Sequence, residues 1–389
     1  MHALRDSLHW PYAKRVGPEP RQGGFSVAGL ADSTERRDAL VERLFMNAVG
    51  AFDLFSVYLG DRLGLYRIMA EQGAMTSAEL ADAAGVHERY AREWLEQQAA
   101  SELLEVDTHA NGGQRSFRLP EGHEEALLDV SSLNYVAPMA RAVLASIRPI
   151  DAVLAAFKSG EGVPYADYGE DLHEAQAAFT RPLFENLLGK EWLPSVPELH
   201  ARLAADPPAR VADVACGQGR SSIEIARAYP TVKVDGIDSD HASVERAREN
   251  LVRSGVEDRV TFHERDAADA ELAGRYDLVT IFEALHDMSY PVDVLRAARG
   301  LLSDNGVLFI GDERTEETFT APAGEVERLF YGFSVFHCLP VGMVGSGAAG
   351  TGTVIRAETV RRYAEEAGFS SCEVMPIEND FWRFYLLRP

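Results

Sequence analysis

Cysteine and long apolar runs are scarce in this chain, and each shortage excludes a class of protein. The three cysteines, Cys216, Cys338 and Cys372, are far apart and match neither a CxxC pair nor a Cys/His metal spacing. We therefore expect free thiols in a reducing, cytoplasmic compartment and no structural metal. No stretch approaches the roughly 20 apolar residues that span a bilayer, and the first residues lack an apolar signal core. The sequence predicts no membrane partner.

Positive charge is also in short supply. The 38 Lys and Arg residues face 61 Asp and Glu residues, which gives a formal net charge of −23. Such a charge repels polyphosphate and anionic lipid at long range. We therefore expect no nucleic-acid partner.

The 389 residues exceed a usual single domain, and their patterning divides them into four segments. Residues 1–40 are rich in Gly, Pro, Arg and Ser, and we interpret them as an extension. Residues 41–130 begin with helices that carry apolar stripes from near Leu40. Residues 131–203 are a mostly helical connector, interrupted by "KSGEGVPYADYGEDL", a loop typical of ligand contact. Residues 204–389 form the last segment.

Residues 41–130 carry the pattern of a helix-turn-helix with a β wing. Thr76 or Ser77 caps one helix, Gly85 marks the turn, and a second helix runs from about His87 to Ala100. Its wing consists of two short strands, near Leu103–Val106 and Ser116–Leu119, around the turn "ANGG". The pattern predicts a winged-helix domain.

A winged helix serves either DNA binding or dimerisation and substrate enclosure. The helix that would enter the major groove carries Arg89 and Arg92 but also Glu88, Glu93 and Glu96. Phosphate contact requires a surplus of Lys and Arg. The charges favour dimerisation or enclosure.

Residues 204–389 alternate strands and helices, which is typical of a parallel sheet with helices on its faces. The tail "SSCEVMPIENDFWRFYLLRP" adds two strands around "IEND", an antiparallel hairpin. The sequence therefore predicts an α/β fold. The five central strands are predicted at Val211–Ala215, Val232–Ile237, Val260–Glu264, Leu278–Phe282 and Val307–Gly311.

The turn "DVACGQGRSS" follows the first of these strands. Gly217 and Gly219 let the backbone approach a ligand, but Ser222 stands where a dinucleotide fingerprint has its third glycine, and no Walker lysine follows. Asp238 lies 19 residues beyond Gly219, at a strand end where a carboxylate can accept both hydroxyls of a ribose. These features favour a ligand with a ribose but no phosphate. Asp266 and Asp312 follow two further strands and border the same crevice, or simply cap the loops that start there.

Five segments, "VADVACGQG", "VDGIDSD", "RVTFHERDAAD", "YDLVTIFEALHDM" and "LLSDNGVLFIGDE", resemble in order and spacing the motifs of class I S-adenosylmethionine-dependent methyltransferases. With the winged helix, the chain is similar to the dimeric small-molecule O-methyltransferases of plants and bacterial natural-product pathways. The resemblance covers roughly residues 40–389. It implies a Rossmann-like class I domain, a homodimer formed by the N-terminal helices, and a small-molecule substrate.

The resemblance also assigns cofactor contacts. Asp213, Ala215, Cys216, Gly217 and Gly219 match the loop that cradles the methionine part, and Ala215 departs from the family's usual glycine. The remaining matches are Asp238 with Ser239 at the ribose, Asp266 with Ala267 at the adenine, and Phe282 with Glu283 beside the methionine amino group. The cofactor would be S-adenosylmethionine, and the product S-adenosylhomocysteine.

Methyl transfer to a hydroxyl requires a base, and a histidine with a pKa of about 6.5 suits this task near neutral pH. His286 matches the histidine of the family's "HD" pair, with Asp312 or Asp287 to steady it. We expect His286 to be the base. The alternative is a loop histidine that hydrogen-bonds at the start of the next helix.

The segment "ERLFYGFSVFHCLPVGMVGSGAAG" is dense in aromatic residues, and in the resembled enzymes this region roofs the substrate pocket. Helical core packing accounts for the aromatic residues equally well. The predicted lining residues are Phe330, Tyr331, Phe333, Phe336 and His337, with Tyr165, Tyr168, Phe184 and Trp192 as weaker candidates from the connector.

These features together predict an enzyme that methylates a hydroxyl of a small aromatic or polyketide-like compound. Nitrogen or sulfur acceptors stay open, with His286 then serving only for orientation. Two other functions also stay open: a regulator that binds DNA in response to S-adenosylmethionine, and an enzyme that rearranges its substrate with the sulfonium as an electrostatic aid.

Overall fold

The computed structural model describes residues 33–108, 114–265 and 276–389. The described residues up to Phe52 and those from Asp53 onwards form two separate compact units. Helix α1 (Ser33–Arg62) begins at Ser33. The sequence placed the first helix near Leu40, because the first turns of α1 are polar and carry no apolar stripe that would reveal them. Most of the predicted extension lies outside the described residues. Large apolar side chains are exposed on the part of α1 before Asp53: Leu40, Val41, Leu44, Phe45, Met46, Val49 and Phe52.

The winged helix predicted from the sequence is confirmed. Thr76 caps α3 (Ser77–Ala84) and forms a reciprocal capping box with Glu79, and Gly85 ends that helix with a φ of 66°. The two wing strands are antiparallel, with Val106 opposite Phe117, and the turn "ANGG" lies outside the described residues. The elements are α2 (Leu65–Gln72), α3 (Ser77–Ala84), α4 (Glu88–Ala100), β1 (Glu105–Asp107) and β2 (Ser116–Arg118).

Helix α4 is the one that would enter a DNA groove. Its two arginines are engaged by acids of the same helix: Arg89 pairs with Glu93, and Arg92 lies 3.5 Å from Glu88. These pairs engage the charges that would contact phosphate, and the absence of a nucleic-acid partner stays a prediction.

The connector is helical, as predicted. A 3₁₀ turn (Tyr165–Tyr168) precedes helix α8 (Glu170–Leu183), and a π-helical segment (Phe184–Trp192) continues this helix. Helix α8 contributes residues to the cavities described below. Helix α5 (His123–Leu128) precedes the connector. The connector's helices are α6 (Ala137–Ile147), α7 (Ile150–Ser159), α8 (Glu170–Leu183) and α9 (Pro197–Leu203).

The described part of the last segment forms a seven-stranded sheet in the order β5-β4-β3-β6-β7-β9-β8. The first five strands in this order are parallel, and β9 and β8 are antiparallel additions, as predicted. The strands are β3 (Arg210–Val214), β4 (Lys233–Asp238), β5 (Val260–Glu264), β6 (Tyr276–Phe282), β7 (Leu302–Glu313), β8 (Ser371–Val374) and β9 (Trp382–Arg388). The helices are α10 (Arg220–Ala228), α11 (His241–Leu251), α12 (Pro291–Leu301), α13 (Glu325–Phe333), α14 (Leu339–Gly342) and α15 (Ala357–Glu366).

Two apolar cores cover the two faces of this sheet. Along β7 the side chains alternate, so that Phe309 packs in one core while Leu308 and Ile310 pack in the other. Because strands β3 to β7 are parallel, the residues at their carboxyl ends meet at one edge of the sheet, where ligands of such sheets bind.

Among the described helices, none is both long and apolar enough to cross a membrane.

Candidate active site

The glycine loop joins β3 to α10 in a left-handed conformation at three positions. Ala215, Gly217 and Gly219 have φ values of 56°, 52° and 74°. A Cβ on Gly217 would meet no atom within 4 Å, whereas a Cβ on Gly219 would lie 2.3 Å from the Phe262 ring. Gly219 therefore serves packing. A left-handed residue with a Cβ is strained by about 1–2 kcal/mol. This strain accounts for the glycine that the resembled family usually has where this chain has Ala215.

Asp213 does not contact the cofactor cavity in the way the sequence suggested. Its buried carboxylate accepts hydrogen bonds from the hydroxyls of Ser221 and Ser222, both at 2.6 Å, and from Thr280 at 2.7 Å. Burial raises the pKa of this carboxyl. Asp213 thus fixes the start of α10 beneath the loop, because a buried carboxylate needs such partners.

Asp238 stands at the end of β4, beside the glycine loop. Its two carboxylate oxygens accept hydrogen bonds from the backbone N–H groups of Gly217 at 2.8 Å and Asp240 at 2.9 Å. Burial raises the pKa of Asp238. Each oxygen keeps a further lone pair, so the geometry suits two vicinal hydroxyls.

A cavity of about 430 Å³ opens between this loop and helix α8. Its volume is in the range of small-molecule and cofactor sites. Of the predicted cofactor contacts, Ala215, Cys216, Gly217, Asp238, Ser239, Phe282 and Glu283 line it. Asp266 and Ala267 lie outside the described residues, and we refer to this cavity as the cofactor cavity.

The sequence analysis did not name many of the lining residues, His173, Gln176 and Arg220 among them. His173 and Gln176 belong to α8, and Arg220 is the first residue of α10. The His173 ring stacks on Tyr165 with centroids 4.3 Å apart, and its Nε2 is buried without a hydrogen-bond partner among the described residues. Burial lowers the pKa of Arg220, whose guanidinium donates to Asn250 at 3.1 Å. The connector's helical periodicity was visible in the sequence, but nothing there indicated which face meets the loop.

A second cavity of about 80 Å³ lies beside the first. Glu283 and Gln176 border both, so the two spaces adjoin at these side chains. Its wall is aromatic and aliphatic with two imidazoles: Met139, Leu172, Phe179, His286, Leu329, Phe330, Phe333, His337, Phe381 and Trp382. We refer to it as the acceptor cavity.

Four carboxylates surround His286 because β6 and β7 end side by side. Phe282 pairs with Gly311 in the sheet, so Glu283 follows one strand while Asp312 and Glu313 complete the other. Nδ1 of His286 lies 2.7 Å from Asp312 and 2.9 Å from Glu313, and its Nε2 lies 3.1 Å from Asp287. The predicted association of His286 with Asp312 and Asp287 is thus seen, with Glu313 as an unpredicted member.

Burial and charge act in opposite directions on this cluster. Burial alone would lower the pKa of His286, but the charges of Glu313, Asp287 and Asp312 raise it well above its usual range. Burial raises the pKa of Glu283 and of Glu313. Burial also acts to raise the pKa of Asp312 and of Asp287, but the charge of His286 and the hydrogen bonds to each carboxylate together outweigh it and lower both pKa values. These directions favour a positive charge on His286 and negative charges on Asp312 and Asp287, and they shift Glu283 and Glu313 toward their protonated forms.

His337 lines the same cavity in different surroundings. It belongs to a π-helical segment (Ser334–Cys338), a distortion that is frequent at functional sites. Its ring lies edge-on to Tyr168, with centroids 4.6 Å apart, and its Nδ1 is 3.3 Å from Sγ of Cys338. The Nε2 atom is buried and has no hydrogen-bond partner among the described residues.

The predicted lining residues divide into three groups. Phe330, Phe333 and His337 line the acceptor cavity, whereas Tyr165 and Phe184 line the cofactor cavity. Tyr331, Phe336, Tyr168 and Trp192 line neither.

Three of these four have other partners that account for their positions. Trp192 is a core residue against Trp382 and Phe384, Tyr168 donates to the Phe336 carbonyl at 2.8 Å, and the Tyr331 hydroxyl accepts from Arg356. Aromatic composition indicates burial, but not which cavity a side chain faces.

Two family models match the chain. Residues 205–339 match a methyltransferase domain, and residues 52–129 match an Rv2258c-like winged helix-turn-helix domain. Both positions agree with the folds described above.

Curated relatives match over about a quarter to a third of the chain. The chain is 36% identical over 104 residues to 27-O-demethylrifamycin SV methyltransferase of Amycolatopsis mediterranei, a match covering 26% of this chain and 38% of that enzyme. It is 35% identical over 130 residues to ubiquinone biosynthesis O-methyltransferase of Azotobacter vinelandii, covering 33% and 52%. The chain thus spans about half or less of the length of these relatives.

Solved structures match over nearly the whole chain. Mitomycin 7-O-methyltransferase MmcR superposes with a TM-score of 0.67 at 19% identity, covering 92% of this chain and 100% of that one. Human N-acetylserotonin methyltransferase in complex with SAM gives 0.65 at 18% identity, covering 93% and 99%. These likenesses show the fold. The chain carries a class I methyltransferase domain, of the class that uses S-adenosylmethionine, behind a winged-helix domain.

We predict that Asp238→Ala weakens S-adenosylhomocysteine binding at least about tenfold, because each hydrogen bond to a charged group contributes about 1.5–3 kcal/mol. Calorimetric titration measures the affinity, and thermal unfolding without ligand checks that the variant folds. Asp258→Ala is the matched control, since Asp258 is exposed and outside the cavity. Equal affinity in the Asp238 variant and the unmutated protein would contradict the assignment.

Proposed function

We propose that the protein transfers a methyl group from S-adenosylmethionine to a hydroxyl of a small aromatic or polyketide-like molecule. The observation that carries this proposal is the pair of adjoining cavities. One has the glycine loop and the buried Asp238, and the other is aromatic and carries two imidazoles. Their meeting point at Glu283 is where a donor and an acceptor would face each other.

The residues of the cofactor cavity fit the parts of S-adenosylmethionine. Asp238 suits the ribose hydroxyls, the backbone at Gly217 leaves room for close approach, and Glu283 offers a carboxyl group to the methionine ammonium. Arg220 offers a half-buried guanidinium to the methionine carboxylate. When bound, the cofactor supplies an electrophilic methyl group on a positively charged sulfur.

The acceptor cavity supports a small aromatic substrate. Phe330, Phe333 and Phe381 offer ring faces and edges to an aromatic acceptor. Several proteins of similar fold or sequence are named as O-methyltransferases of small molecules, among them those for mitomycin and demethylrifamycin. This supports a hydroxyl acceptor here, with an amine or a thiol as the alternatives.

His286 is placed to act on the acceptor. It lines the acceptor cavity, and Asp312 holds it twice, through Nδ1 at 2.7 Å and through the backbone N–H at 3.3 Å. The base role predicted for His286 stays a prediction. Its carboxylate surroundings favour a positively charged ring, which would stabilise negative charge on the acceptor oxygen.

We predict that His286→Gln lowers methyl transfer by about 10²-fold or more while S-adenosylhomocysteine affinity changes little, because His286 lines the acceptor cavity and not the cofactor cavity. The assay supplies methyl-labelled S-adenosylmethionine with a panel of small phenols and polyketide-type hydroxyl compounds, and mass spectrometry locates the methyl group. His200→Gln, at a histidine held by Tyr229, is the matched control. Label on nitrogen or sulfur alone, or on no compound that the cavity admits, would overturn the proposal.

We propose that the protein is a homodimer in which a second copy covers the exposed apolar side chains of α1. Phe45 and Phe52 are 66% and 71% exposed, an extent that is unusual for neighbouring aromatic residues on one helix. We expect light scattering to give twice the chain mass of 42.7 kDa, and Phe45→Glu with Phe52→Glu to give the single mass. A single mass for the unmutated protein would contradict the dimer.

A further inference from the structure

The acceptor cavity is lined by two acidic residues, Glu283 and Glu313. Among the described residues, no lysine or arginine lines it. Glu283 also borders the cofactor cavity, where we assign it to the methionine ammonium, whereas Glu313 lines the acceptor cavity alone. Glu313 is therefore the carboxyl group left for the acceptor molecule.

Glu313 is buried, with 4% of its surface exposed, and one of its oxygens has an unmet capacity for hydrogen bonding. Nδ1 of His286 makes its hydrogen bond to Asp312, at 2.7 Å. Oε2 of Glu313 lies 2.9 Å from the same nitrogen but has no hydrogen-bond partner among the described residues. Because a buried carboxylate oxygen without a donor is costly, a donor from a bound molecule would stabilise it.

The wall around Glu313 suits a cation. Aromatic rings attract a positive charge that lies over their faces, and the attraction grows when water is excluded. Five aromatic side chains line this cavity: Phe179, Phe330, Phe333, Phe381 and Trp382. A carboxyl group among aromatic rings is an arrangement that binds an ammonium group.

The two imidazoles of the cavity do not prevent this binding. Asp312 and Asp287 lie 2.7 Å and 3.1 Å from the two ring nitrogens of His286, and they offset its charge. Burial lowers the pKa of His337, which favours a neutral ring. Its Nε2 is buried without a partner among the described residues, so a second atom of this wall is left for a polar group of the bound molecule.

We propose that the acceptor is an aromatic hydroxyl compound that also carries a protonated amine, and that Oε2 of Glu313 accepts a hydrogen bond from this ammonium group. The inference rests on the proposed hydroxyl methylation and names its substrate class. Glu313 determines specificity here, because it binds a part of the acceptor that does not react. The net charge of −23 acts in the same direction, since it attracts cationic small molecules at long range.

The test is calorimetric titration of the whole protein, saturated with S-adenosylhomocysteine, with two matched series of phenols. The ortho, meta and para hydroxyphenethylamines carry an ammonium group, and the corresponding propylphenols carry a methyl group of similar size in its place. We expect at least one amine to bind about tenfold or more tightly than its propylphenol, because a hydrogen bond to a charged group is strong in a buried site. Equal or weaker binding of all three amines, or binding of none of the compounds, would overturn the inference.

In Glu313→Gln we expect the preference for the amine to disappear. The affinities for the propylphenols and for S-adenosylhomocysteine should stay as they were, because Glu313 does not line the cofactor cavity. Glu373→Gln, which removes the same charge from an exposed position on β8, is the matched control. Loss of affinity for both series alike would indicate a structural role and contradict the inference, and if the variant does not fold, the comparison in the unmutated protein still decides.

Methylation of the same compounds separates the inference from the function on which it rests. Transfer of label to the hydroxyl of the preferred amine would support both. Tight binding of the amine without transfer to its hydroxyl would overturn the proposed function and leave the amine site supported. Transfer to the hydroxyls of both series with the same KM would support the proposed function and overturn the inference.

Discussion

The site depends on one electrostatic constraint, the neutralisation of the carboxylates buried where β6 and β7 end. Glu283, Asp287, Asp312 and Glu313 are brought together by the register of two parallel strands, and His286 lies among them. Burying ionised groups without compensation is costly, so the site exists only as a set in which the charge of His286 offsets some acids and others shift toward their protonated forms. The excess of acid makes this edge of the sheet suited to a ligand that carries positive charge.

Two residues with a strained backbone lie at the same edge of the sheet, near the site. Ala215 and Glu283, neither of them a glycine, adopt left-handed conformations with φ values of 56° and 50°. Such residues persist only where the surrounding structure holds them, and they concentrate at functional sites. Glu283 is fixed by a hydrogen bond from its backbone N–H to Gly311 at 2.8 Å, which aims its side chain between the two cavities.

The sequence predicted those features that follow from strand periodicity and chain spacing. Asp238, Gly217 and Phe282 line the cofactor cavity because each ends or follows a strand, and strand ends are visible as breaks in apolar runs. His286 and Asp312 were paired correctly for the same reason.

Features that depend on packing between distant segments were not predictable. His173 and Gln176 come from a helix that precedes β3, and their contribution depends on how that helix lies across the loop. Trp192 and Tyr168 were assigned to the substrate wall because aromatic character is common to walls and cores. Asp213 was assigned to the cofactor because a motif does not reveal that three hydroxyls already satisfy its carboxylate.

The central claim is that donor and acceptor meet where the two cavities adjoin. A crystal structure with S-adenosylhomocysteine bound tests it most directly through the position of the sulfur atom. The account predicts that the ribose contacts Asp238 and that the sulfur lies beside Glu283 at the mouth of the acceptor cavity. A sulfur atom that faces away from the space lined by His286 and His337 would contradict it.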